Sequence, residues 1–208
     1  MGKRRLGICS FCGTSGIVSR EHVVPLGLFA PSIHGSCRFV LIPSCDQCNG
    51  AFSKHEDHFR TFCTVASQGP PEAKELFYDP IRRAFDRPVH GVKSLKRLYA
   101  GMKESVDKPG RRRIYPNEDV FFILRKIIRG LAFKHLRKVA VSDADVDVRV
   151  LLFEIPDEFN RAELFNAVHP TVFQYRFDLC DDGDYQSLWL LKIFETVRFV
   201  GAIRQQKK

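Results

Sequence analysis

The sequence predicts an α+β protein in three parts: an N-terminal ββα unit stapled by zinc, a basic helical middle, and a C-terminal antiparallel sheet with a helix. Three observations carry that prediction. Two C-x-x-C pairs, Cys9-Ser10-Phe11-Cys12 and Cys45-Asp46-Gln47-Cys48, bracket two short apolar runs. Residues 81–140 hold 17 Lys and Arg against 5 Asp and Glu, more than the net charge of +9 that the 208-residue chain carries as a whole. Val146, Val148, Val150 and Leu152 alternate with Asp145, Asp147 and Arg149, the period of a half-buried strand. The boundaries follow these shifts: 1–66 for the metal-stapled unit, 67–140 for the basic region, 141–208 for an accessory α+β domain.

Hydrophobic residues make up 44% of the chain, which excludes a mostly disordered protein. No run approaches 18 uncharged apolar residues, so no segment is expected to span a membrane. Met1-Gly2-Lys3-Arg4-Arg5 has the charge of a signal n-region, but Cys and polar residues follow at once, and the reading is a soluble, cytoplasmic protein. Thiols stay reduced there, so two C-x-x-C knuckles read as one tetrahedral zinc site formed by Cys9, Cys12, Cys45 and Cys48. Gly13 and Asn49-Gly50, after each second Cys, suit the tight turns this needs. Cys37, Cys63 and Cys180 stand apart.

In chain order, Ile17–Val24 reads as a strand between Gly16 and Pro25, and Arg38–Ile42 as a second strand stopped by Pro43. Residues 25–37 form the loop between them. A helix is expected from Asn49 to about Ala66, ending before Gly69-Pro70-Pro71. So small a ββα unit needs its metal to be stable. Residues 67–116 read as short helices with an exposed basic loop at Lys108-Pro109-Gly110-Arg111-Arg112-Arg113. Asn117 caps a long helix to about Lys138, with Glu118 and Asp119 in its first turn and Phe121, Leu124, Ile128, Leu131 and His135 on one face. Arg125, Lys126 and Arg129 fall on the remainder. A helix over about 157–168 and strands over 171–179, 187–194 and 197–203 complete the chain, with Asp182-Gly183 marking a hairpin turn.

Concentrated basic charge is the footprint of a polyanion binder, and the expected partner is nucleic acid, contacted through Arg111, Arg112, Arg113, Arg125 and Arg129. Inside the cysteine-bounded span lies Glu21-His22-Val23-Val24-Pro25, and Cys48 is followed by Asn49 and then Ser53-Lys54-His55-Glu56-Asp57-His58-Phe59. Together, C-x2-C, E-H-V-V-P, C-x2-C-N and S-K-H-E-D-H-F resemble the HNH nucleases, the His-metal finger or ββα-metal endonucleases, in their zinc-containing form. The resemblance covers roughly the first third of the chain. Where many members carry an Asn shortly before the second knuckle, this chain has Arg38-Phe39-Val40-Leu41-Ile42.

The resemblance implies a metal-dependent endonuclease that hydrolyses DNA phosphodiester bonds. His22 matches the general base, since a neutral imidazole can take the proton of the attacking water. Glu21 matches a ligand of the catalytic Mg²⁺ or Mn²⁺, usually Asp in the family, and Asn49 matches a second ligand. In a regular strand Glu21 and His22 face opposite sides, so this use of both requires a local irregularity. Glu56, seven residues after Asn49, shares its helix face and is the next candidate, ahead of Asp57 and His58. Two other readings remain open: Asn49 closing the knuckle in a left-handed turn, and Ser53 with Glu56 forming a capping box. Double-stranded DNA is the expected substrate, and double-strand cleavage requires a homodimer or two successive nicks. The alternative is a zinc-stapled DNA- or RNA-binding module without catalysis, which needs neither Glu21 nor His22.

Overall fold

The computed structural model describes residues 4–67, 69–105, 109–152, 165–180 and 183–205. The chain opens with a three-stranded antiparallel sheet in the order β1 (Arg5–Ile8), β2 (Ser15–His22), β3 (Leu41–Cys45). β1 escaped the sequence reading because it is four residues long and leaves Leu6 and Ile8 exposed, so it has no buried-face pattern. β3 begins later than expected and runs through Pro43, which pairs with Arg20 of β2. Proline fits because β3 is an edge strand and needs no N–H on its open side. The Pro43 carbonyl accepts a hydrogen bond from Ser10 N at 2.9 Å.

α1 (Asp46–Ala66) follows β3 without a loop. It starts three residues before the expected Asn49, so the second cysteine pair straddles the strand end and the first helical turn. Short helices follow, as the prolines imply: α2 (Pro71–Leu76), a π-helical turn over Phe77–Ile81, α3 (Arg82–Phe85) and α4 (Pro88–Ala100). Part of the expected basic loop is instead a strand, with β4 (Met102–Glu104) pairing β5 (Arg112–Ile114). α5 (Glu118–Leu136) is capped as expected, the Asn117 side chain accepting from Val120 N.

The last part is a five-stranded antiparallel sheet in the order β6-β10-β9-β8-β7, built from β6 (Val146–Val150), β7 (Asn166–His169), β8 (Phe173–Leu179), β9 (Tyr185–Ile193) and β10 (Val197–Arg204). Most of the helix expected over 157–168 lies outside the described residues, and its end, from Asn166, is strand. β7 pairs with β8, and tertiary pairing of this kind overrides weak helical periodicity. Among the described residues no helix is long and apolar enough to cross a membrane.

α5 is the element on which both sheets rest. On one side a β-carbon added at Gly130 would lie 2.8 and 2.9 Å from the Val23 methyls and 3.2 Å from Ile42. On another, Ile128 reaches the backbone of Gly201 in β10. Alanine is the better helix former by about 1 kcal/mol, but overpacking costs about 1–3 kcal/mol. Gly130→Ala is therefore expected to lower stability by about 1 kcal/mol net, read as a lower urea midpoint at an unchanged slope. His135, on the apolar face of α5, is bonded to the Tyr175 hydroxyl at 2.8 Å, a satisfied core histidine.

Candidate functional site

The four paired cysteines come together. Their sulfur atoms all lie within 4.8 Å of one another, and Cys12 Sγ stands 3.8 Å from Cys45 Sγ. A tetrahedron with metal–sulfur bonds of about 2.3 Å has edges of about 3.8 Å, so the spacing suits a structural metal such as zinc. The first knuckle is closed by Gly13, at φ +74°, whose N–H donates to the Cys9 carbonyl. Hydrogen bonds to Thr14 bring the Cys12 thiol down to about 6, while burial raises Cys45 and Cys48. The knuckle is also tied to the end of α5: Arg129 donates to the Phe11 carbonyl at 2.8 Å and Ala140 N to the Ser10 carbonyl at 3.0 Å.

Glu21 and His22 end β2, held in register opposite Ile42 and Leu41 without a bulge. The expected irregularity between them is thus absent from the β2–β3 pairing, and the two side chains leave opposite faces of the strand. Glu21 is buried, and its Oε1 accepts from Lys126 Nζ at 2.6 Å. Glu56 Oε1, from α1, accepts from the same nitrogen at 2.7 Å. Lys126 has no solvent exposure and also lies 5.2 Å from the Phe52 ring centroid. Burial pushes the Glu21 carboxyl up, with Lys126 pulling against it and Glu56 adding to the rise. His22, half-buried, sits edge-on to Phe39 at 5.2 Å, and Phe39 makes similar contacts with Phe29 and His34. Burial holds the imidazole below its usual range; Lys126 and His34 act in the same direction and Glu56 in the opposite one.

Two carboxylates 35 residues apart thus meet at one lysine nitrogen, within electrostatic reach of His22. Each carboxylate gives Oε1 to Lys126, and the Glu21 and Glu56 side chains are 11% and 27% exposed. Such hard oxygens suit Mg²⁺ or Mn²⁺. Among the described residues, however, the cysteines are the one group of three or more His, Cys, Asp or Glu side chains close enough to share an ion. The sequence pattern puts Lys126 with the cations on the polar remainder of its helix. Its spacing from Ile123 (three residues) and Gly130 (four) puts it on the buried stripe, the signal that a carboxylate must meet it.

Asn49 lies in the first turns of α1, partly exposed and helical, so it does not close the knuckle in a left-handed turn. The capping box is likewise excluded, since Ser53 is inside α1 and donates to the Gly50 carbonyl. Asp57 is exposed and pairs with Arg60, while His58 is buried and His55 binds Asp119 at 2.7 Å. Neither histidine joins the Glu21–Glu56 pair.

The expected phosphate contacts divide. Arg125 is held by Glu118 and Asp143, and Arg129 by the carbonyls of Val141 and Phe11. Both side chains are largely covered, 16% and 11% exposed, because they tie α5 to its surroundings rather than face solvent. Arg111 and Arg112 remain exposed beside β4, and Arg113 is half-buried. A different group of cations was missed: Arg5, Arg20, Arg38 and Lys134, far apart in sequence, line one cleft of about 520 Å³ with Phe39, Val40, Leu41, Ile42 and Pro43. No protein-family model, curated protein or solved structure matches the chain, so the site is read from its own residues.

Proposed function

We propose that this chain is a metal-dependent DNA endonuclease of the HNH type. The observation that carries the reading is the meeting of Glu21 and Glu56 on the Lys126 amine, at the end of the strand that also carries His22, in a chain whose four paired cysteines lie close enough to share a metal. In this reading the thiols hold a structural zinc that fixes the start of α1. His22 takes the proton of the water that attacks phosphorus, and the ring contact with Phe39 limits how the imidazole turns. Glu21, with Glu56 and Asn49, offers hard oxygen donors to Mg²⁺ or Mn²⁺, whose charge when bound favours departure of the 3′ oxygen. Lys126 holds one oxygen of each carboxylate and thereby positions both.

A second reading, a zinc-stapled nucleic-acid-binding module without catalysis, has one observation in its favour: Lys126 already offsets part of the charge that a divalent ion would meet. Incubation of supercoiled plasmid with Mg²⁺ or Mn²⁺ separates the two. The wild-type chain is expected to nick the plasmid, and His22→Ala, of equal zinc content, to lose about 10²–10⁴ in rate. Binding without cutting by both proteins, on DNA and on RNA, supports the module instead. Equal cutting by both removes His22 from the mechanism.

A further inference from the structure

We infer that the cleft of Arg5, Arg20, Arg38 and Lys134 is the track that holds the phosphate backbone of duplex DNA and leads it to His22. The inference rests on the proposed nuclease reading for its destination, but its charge and geometry stand by themselves. The cleft is lined by four cations and no carboxylate. Among the described residues, none of the four takes part in an ion pair, in contrast to Arg60, Arg83, Arg125 and Arg204, each of which meets an acid. Cations without internal partners leave their full potential facing the solvent, and a concave wall concentrates it.

The cleft also points to the base. Arg5 pairs with Val18 across β1–β2, and Val18, Arg20 and His22 alternate along β2, so Arg5, Arg20 and His22 leave the same sheet face. Arg20 stands about 6.6 Å from His22 along the strand by the ordinary strand rise. Phe39 and Leu41 line the cleft, and they are respectively the ring against which His22 lies and its cross-strand partner. Lys134, from the last turn of α5, and Arg38, whose N–H donates to the Val168 carbonyl of β7, also line the cleft. A backbone lying here is gripped by charge alone, so little preference for base sequence is expected.

The test is binding of a labelled DNA duplex to the full zinc-loaded chain carrying His22→Ala, in Mg²⁺-free buffer, by fluorescence anisotropy between 50 and 200 mM salt. Each phosphate neutralised contributes about −0.9 to the slope of log K against log salt. Adding Arg20→Gln and Arg38→Gln is expected to weaken binding at 50 mM salt and to make the slope shallower by about 2. That difference amounts to about tenfold less affinity lost across the range. The charge-matched pair Arg82→Gln with Lys93→Gln, on α3 and α4, is expected to keep the parent slope. An unchanged slope in the cleft variant, or the same change in Arg111→Gln with Arg112→Gln, overturns the inference. So does tighter binding of single-stranded RNA than of the duplex. A chain that binds through the cleft yet never cuts plasmid keeps this inference and loses the nuclease reading. Zinc content and far-ultraviolet circular dichroism confirm that each variant is folded.

Discussion

Of all changes to this protein, loss of the structural zinc proposed at Cys9, Cys12, Cys45 and Cys48 is expected to have the largest effect. Chelation, or Cys48→Ser, should release β1, β2 and the first turns of α1 together, because the knuckles are the junction between them. Little else covers the β1–β2 hairpin on one side: Leu6, Ile8 and Ile17 are 84%, 53% and 57% exposed. Structural zinc contributes about 10–16 kcal/mol of apparent binding energy in small domains. Arg129 and Ala140 also hold the first knuckle here, so a loss of about 5 kcal/mol is the better expectation. For a chain of this size that is about 10–20 °C in melting temperature. The check is a zinc titration giving one ion per chain, with thermal unfolding before and after chelation. An unchanged melting curve in a chelated, zinc-free sample would remove the cluster from the account of stability.

The second large effect is expected at Lys126. Lys126→Met keeps the apolar stem but leaves Glu21 and Glu56 facing each other without their shared cation. Breaking a buried pair in this way costs about 3–5 kcal/mol, or about 6–20 °C in melting temperature. An exposed pair such as Arg83 with Asp79 contributes less than about 1 kcal/mol and serves as the control. Because burial already opposes the charge on Glu21, adding Glu21→Gln and Glu56→Gln to Lys126→Met should recover much of the lost stability. It should not recover the plasmid nicking that the proposed nuclease reading expects. A Lys126→Met protein as stable as wild type would mean that the bridge does not form in solution.

Part of this architecture is legible in the sequence. The knuckles declare themselves by spacing, α5 by its Asn117 cap and apolar period, β6 by alternation, and β8, β9 and β10 as apolar runs, since each signal is local in the chain. The helical repeat puts Glu56 on the face of Asn49, and the structure brings its Oε1 to Lys126 together with that of Glu21. What stayed hidden depends on partners distant in sequence. β1 exists because β2 pairs with it, and Pro43 is tolerated because its strand lies at an edge. Arg125 and Arg129 read as solvent-facing cations until their acceptors at 118, 143, 141 and 11 are known. The basic cleft draws on residues 5, 20, 38 and 134, and no local count of charge brings those four together.

The position of α5 bears on how such a protein can be divided or recombined. Residues 1–66 look like a portable cassette when read along the chain, yet Val23 and Ile42 are sealed by Gly130, and the two glutamates by Lys126. Excised alone, that segment would bare an apolar seam and two uncompensated acids. A graft onto another scaffold must carry residues 118–136 with it, so the smallest transferable unit is discontinuous in sequence.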